Sequence, residues 1–461
     1  DCPWRIAAVI KKIKKYIATP EKLPEDLLRP FQYFFRAEAS SSILLAGATV
    51  LAFVWANSAF SSSYHDFWQT EFSLVLGDYS ISKTLRDWID EGFMTIFFFI
   101  VGLEIKREIL VGELATLKKA MLPAAAAVGG MVFPALIYFG FNRGLPGVGG
   151  WGIPMATDIA FAMGAISVLG RRLPAGIRIF LSALAIVDDL GAVIVIALFY
   201  TEKIVALYLL TGIVIFLLMV IANLLWIRRT LVYAFLGIAL WLAFLGSGLH
   251  ATVAGVIVAM CIPARGKYPT EKFVEKVAGY LGQVDCPTDG CGYSILLNEK
   301  HMDAVQSIEL ACHDVETPLQ RLEHSLHPWV VFVIVPLFAL ANAGLTIGEM
   351  DVSAALASPV MLGILCGLLF GKPVGITLFS WLAVKLKLSS LPAGVTWAHV
   401  FGTGILGGIG FTMSLFITDL SFRQPAMMDY AKVGVLLGSI LAGIAGLLYL
   451  TATSSKRHRP E

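Results

Sequence analysis

The chain has 461 residues, 57% of them hydrophobic and only 15% charged, with mean hydropathy +0.76 and formal net charge +2. Soluble domains carry roughly 25% charged residues, so this balance excludes an ordinary soluble enzyme and indicates an all-α polytopic membrane protein. There is no basic domain or recognition motif of the kind that binds nucleic acid.

The chain opens on Trp4 to Ile17, where apolar residues at 6, 9, 10, 13 and 17 share one helical face and lysines crowd the other. That pattern suits a helix lying in an anionic membrane surface. Hydrophobic spans follow at 41–60, 88–110, 121–141, 153–169, 176–200, 204–227, 231–246, 249–263, 327–346, 357–384, 399–419 and 430–452. The series predicts twelve transmembrane helices, each compatible with the ~20 residues a bilayer requires, although the fourth, seventh and eighth are short.

Charge placement agrees with an even count. Connections after even-numbered spans hold Lys118 and Lys119, then Arg171, Arg172 and Arg178, then Arg228 and Arg229, Arg265 and Lys267, Lys385 and Lys387. Odd connections are poor in lysine and arginine, so both termini and the even loops are expected to be cytoplasmic. The expected organisation is a cytoplasmic amphipathic segment over 1–36, spans one to eight over 37–263, a cytoplasmic insert over 264–326, spans nine to twelve over 327–452, and a cytoplasmic tail over 453–461.

Two connections carry structure of their own. Residues 72–82 alternate around Gly77-Asp78 and read as a small periplasmic β-hairpin, whose free edge is a natural place for another subunit to pair. The insert contains Cys286, Cys291 and Cys312, but Cys-x4-Cys without a matching second pair makes a weak zinc signal, and reduced thiols are the simpler reading. No cofactor is expected.

Spans four and eleven do not read as continuous helices. Pro154 interrupts the fourth just before Thr157-Asp158, and five glycines fall between Gly402 and Gly410 in the eleventh. Each is the middle member of a triplet, spans 3–5 and 10–12, and the triplets begin on opposite sides of the membrane. They therefore form an inverted-topology repeat whose two broken helices cross near the midplane, where a binding site is expected. Half-helix ends that expose N–H groups favour a carboxylate, a role for Asp158; ends that expose C=O groups favour a cation, a role for Lys372 in span ten.

Span five holds Asp188-Asp189 in an otherwise apolar run. An aspartate at a helix centre costs roughly 2.5–3.5 kcal/mol, so the pair must face a wet cavity or a partner. Neighbours on a helix point about 100° apart, so one should meet an ion or proton while the other turns to a second charge.

Here the sequence resembles the NhaA family of bacterial sodium/proton antiporters, through Ala156-Thr157-Asp158-Ile159-Ala160-Phe161, Ala185 to Gly191, Ser247 to Thr252, Gly371-Lys372-Pro373-Val374-Gly375, Val101 to Glu108 and Leu322 to Trp329. The resemblance implies that Asp189 is the main cation and proton carboxylate and that Asp188 beside it pairs with Lys372. It places sodium at Asp188 and Asp189, sets Thr157 and Asp158 at the crossing as further cation- and proton-binding groups, and gives Lys372 and Asp158 the role of charge compensation. It further implies a homodimer held partly by the hairpin, two protons per cation, and pH regulation at Glu104, Arg107, Glu108, Glu323, His324 and His327. The stretch from about 264 to 320 is longer than in the best-known members.

The expected function is electrogenic, pH-activated exchange of sodium or lithium for protons across the bacterial inner membrane. Alternatives are an intramembrane aspartyl protease, which would use two aspartates on facing helices, and a proton-coupled carrier of another solute, which would use a larger pocket. His250, at the start of span eight, is equally readable as a packed or a functional histidine.

Overall fold

Where glycine and proline punctuate the apolar runs, the helices of this protein bend, widen or stop, and those places assemble its centre. The computed structural model describes residues 38–77, 79–201, 204–266, 268–282 and 299–455. The basic segment at 4–17, Cys286 and Cys291 lie outside them.

Helices occupy all twelve expected positions. By length and composition, however, among the described residues eight are long and apolar enough to cross a membrane, or ten when each of two bent pairs is one span, so the expected twelve is not reached on that measure. The physical reason is visible in the two that fall short. Met94–Val111 carries Glu104, Lys106, Arg107 and Glu108, and Thr252–Cys261 has only 10 residues. The first span is also sharper than expected: Ser40–Ala56 turns by 113° into Ser61–Gln69. The ninth starts earlier than expected, at Pro318 rather than 327, because the Thr317 side chain caps that turn by accepting from Gln320 N and Pro318 needs no donor there.

Two wide π turns precede prolines. Val330–Ile334 leads into Pro336, and Gly367–Gly371 leads into Lys372-Pro373. A proline has no N–H for the carbonyl one turn back, and a wide turn absorbs the lost bond. Lys372 follows directly on the second of these turns.

The hairpin is present, with Glu71–Leu76 paired antiparallel to Tyr79–Thr84. Gly77 supplies the left-handed turn residue at φ 62°. Trp88 at the foot of the second span fixes it by donating from Nε1 to Phe72 O at 2.9 Å. The insert contains helices Thr270–Leu281 and Glu299–Val315, and it leaves and returns at one place, where Leu319 N donates to Pro263 O.

Spans three and ten pack backbone to backbone. A Cβ on Gly375 would lie 2.1 Å from Gly129 O, and one on Gly129 would lie 2.2 Å from Gly375 O. Gly375→Ala therefore forces two helices apart beside Lys372. The expected loss is about 1–3 kcal/mol, read as a lower melting temperature in detergent.

Candidate cation site

Span four enters as a 3-10 helix, Pro146–Met155, runs extended through 156–158, and resumes as Ile159–Leu169. Span eleven is Trp397–Gly407 and Phe411–Ser421, bent by 47°. The two breaks touch: Asp158 N donates to Ile409 O at 2.6 Å, and Thr157 Oγ1 donates to Gly407 O at 3.0 Å.

Asp158 lies between two helix N-termini. Its Oδ1 accepts from Phe161 N at 3.1 Å, and its Oδ2 accepts from Thr412 N at 3.0 Å and from Thr412 Oγ1 at 2.5 Å. One carboxylate thus meets the exposed N–H groups of both resumed half-helices, which carry partial positive charge. Thr412 is a site residue that sequence reading missed. Its position just after the last glycine of the run was the available signal.

Lys372 is fully buried, and its Nζ donates to Asp188 Oδ2 and to Thr157 Oγ1, both at 2.7 Å. Thr157 in turn donates to Gly407 O, so Lys372 connects Asp188 to the carbonyl end of a half-helix. Cation, hydroxyl and carbonyl form one chain of donors and acceptors.

Asp188 and Asp189 are both buried on Ala175–Phe199, at 2% and 3% exposure, and they have different surroundings. Asp188 gives one oxygen to Lys372, while its Oδ1 has no donor among the described residues. Asp189 takes no hydrogen bond from any described residue. It faces a cavity of about 70 Å³ whose wall also includes Thr157, Asp158, Thr412, Glu104 and His327. The polar oxygens on that wall suit a hard monovalent cation rather than a softer metal.

The cavity leads away from the crossing toward a cluster of charges. His327 Nδ1 lies 3.6 Å from Glu104 Oε1, Arg107 pairs with Glu323 and, at 3.4 Å, with Glu108. Five of the six residues assigned to regulation thus meet in one place. His324 is exposed and makes none of these contacts. His250 Nε2 lies 2.6 Å from Tyr200 O, a contact that fits a packed histidine tying spans five and eight.

The family model described as Na+/H+ antiporter 1 matches residues 32–450. The curated Na(+)/H(+) antiporter NhaA 2 of Syntrophotalea carbinolica is 47% identical, over 94% of this chain and 98% of that one. The Na(+)/H(+) antiporter NhaA of Oleidesulfovibrio alaskensis is 48% identical over 94% and 96%. Among solved structures, the sodium proton antiporter MjNhaP1 of Methanocaldococcus jannaschii matches at 14% identity and TM-score 0.44, over 93% of this chain and 99% of that one. A family match across nearly the whole chain, with relatives of almost equal length, leads to one conclusion: this multi-pass membrane protein belongs to the Na+/H+ antiporter 1 family.

Proposed function

We propose that the chain exchanges sodium or lithium ions for protons across a bacterial inner membrane, with Asp189 as the carboxylate that carries either guest. The observation that carries this reading is the contrast among the three buried carboxylates. Asp158 is filled by three donors and Asp188 holds Lys372, while Asp189 faces a small cavity with both oxygens uncommitted. A proton or a dehydrated cation can neutralise it, and each excludes the other.

In this scheme a cation entering the cavity is held by Asp189, with the free Asp188 Oδ1 and the Thr157 hydroxyl on the cavity wall offering further oxygens. Its positive charge competes with Lys372 for Asp188, so the ammonium can give up a proton as the cation binds. Asp189 releases the other, which makes the exchange electrogenic at two protons per cation. Asp158 remains as the fixed counter-charge of the two helix N-termini. The loaded site, now one unit more negative than the protonated one, then turns to the other side as the bundle containing the crossing rocks against its neighbours. The same commitment of Asp158 leaves the hydrolytic reading without a second free carboxylate on a facing helix.

The basic even loops support cytoplasmic termini and place the Glu104–His327 mouth on the inner side. We further propose a homodimer paired along the 72–82 hairpin and the five-part division stated from the sequence, with 264–326 as a cytoplasmic insert whose last residues are the first turns of span nine.

The test is collapse of a preset ΔpH in everted vesicles on adding sodium, lithium or potassium. Because protons and the cation compete, each displaced proton should weaken apparent sodium affinity about tenfold per unit of acidification where protonation dominates. Activity therefore rises with pH. An apparent affinity independent of pH would contradict a shared site.

A further inference from the structure

A second group of charges lies at the other end of the crossing and has no part in the exchange scheme. Arg86 and Asp90 stand in the first turns of span two, Asn342 ends span nine, Asp419 is near the end of Phe411–Ser421, and Lys432 is in span twelve. Arg86 Nη2 donates to Asp419 Oδ1 at 2.6 Å and Arg86 Nε to Asn342 Oδ1 at 2.8 Å. Asn342 Nδ2 donates to Asp90 Oδ1 at 2.6 Å. Lys432 is buried within electrostatic reach of Asp419, Asp429 and Asp90.

Beneath this network, toward the cation site, three buried rings fill the space. Phe416, one turn past Thr412, packs on Phe98 at 5.5 Å and on Phe338 at 6.2 Å between centroids. Asp419 lies seven residues past Thr412, so the ion pair is roughly 10 Å from the crossing along that helix. Asp189 thus has a cavity on the side of Glu104 and His327. On the opposite side there is first an aromatic layer and then an ion pair.

We propose that the Arg86–Asp419 pair is a latch that keeps the cation site shut on the outer side and opens each time the site turns outward. The inference rests on the exchange reading for the sense of outer and inner. The pair joins span two to span eleven, so it ties the repeat that holds the crossing to a helix outside it. Each partner also has a counter-charge on its own side. Arg86 keeps Asp90, whose Oδ2 lies 3.7 Å from Arg86 Nε, and is further held by Asn342, while Asp419, whose Oδ2 accepts no hydrogen bond among the described residues, lies in the field of the buried Lys432. Parting the two spans therefore leaves neither charge bare, and Arg86, at 30% exposure, is within reach of water. A link whose ends are satisfied either way has two stable arrangements, which a switch needs. A purely structural buried pair would instead strand its charges on opening.

The test uses full-length protein with its six cysteines replaced and one cysteine introduced by Phe416→Cys, labelled from outside by an impermeant thiol reagent in right-side-out vesicles. Asp419→Asn and Arg86→Gln should each raise the labelling rate roughly tenfold, and the double variant no further, because both cut the same link. Lys83→Gln, which breaks the Lys83–Glu91 pair within one bundle, should leave the rate unchanged. Unchanged labelling in the latch variants would overturn the proposal, as would multiplying effects or an equal rise in Lys83→Gln. The two latch variants are independent, so either decides if the other does not fold. Sodium-driven ΔpH collapse by the wild-type chain is scored separately. Its absence would refute the exchange reading without altering what the labelling says about the latch.

Discussion

Asp189→Asn is expected to abolish sodium-driven exchange while leaving the protein folded. The substitution keeps size and one acceptor oxygen but removes the charge and the titrating proton. Asp189 makes no hydrogen bond that the fold depends on, so little packing is lost with it. Its contribution to a bound cation is large. A unit charge about 4 Å away at an effective dielectric near 20 is worth about 4 kcal/mol, or roughly a thousandfold in affinity. No other carboxylate can take its place, since Asp158 is occupied by Phe161 and Thr412 and Asp188 by Lys372. The measurement is ΔpH collapse in everted vesicles, together with proton release on sodium addition to the purified protein. Wild-type behaviour of the variant in both would place the cation elsewhere.

Much of this centre could be read from the sequence because intramembrane charge and interrupted helices are costly. A chain retains Asp188, Asp189, Asp158 and Lys372 in apolar runs only where each meets a partner, so their mutual proximity follows from composition and span position. The interruptions at Pro154 and at Gly408–Gly410 were equally open to reading, because proline and clustered glycine act on the local backbone. The division of roles within the site was harder to foresee. Asp158 was expected both to bind the cation and to compensate charge, and its three donors come partly from Thr412, 254 positions away. The outer network was not legible at all. By sequence position Arg86 is only a charge in the connection between the first two spans, and Asp419 only the last residue of the eleventh. The contacts that unite them cross 256 and 333 positions. The π turns were invisible for a different reason: a proline announces a missing donor but not whether the helix kinks, breaks or widens.

Removing the lysine should expose what the buried pair contributes. In Lys372→Gln, Asp188 stays at the centre of the bundle with no counter-charge, and breaking a buried pair from one side costs about 3–5 kcal/mol. The expected result is a melting temperature well below that of the wild type in detergent. Adding Asp188→Asn to Lys372→Gln removes both charges and keeps an amide pair able to bridge toward Thr157. The double variant should recover most of the lost stability, a coupling visible in a double-mutant cycle of melting temperatures. It should not recover electrogenic exchange, because no ammonium remains to surrender the second proton. A double variant as unstable as the single one would show that Lys372 acts chiefly by filling space beside Gly130 and Ile376. Its charge would then have no special part in the cycle.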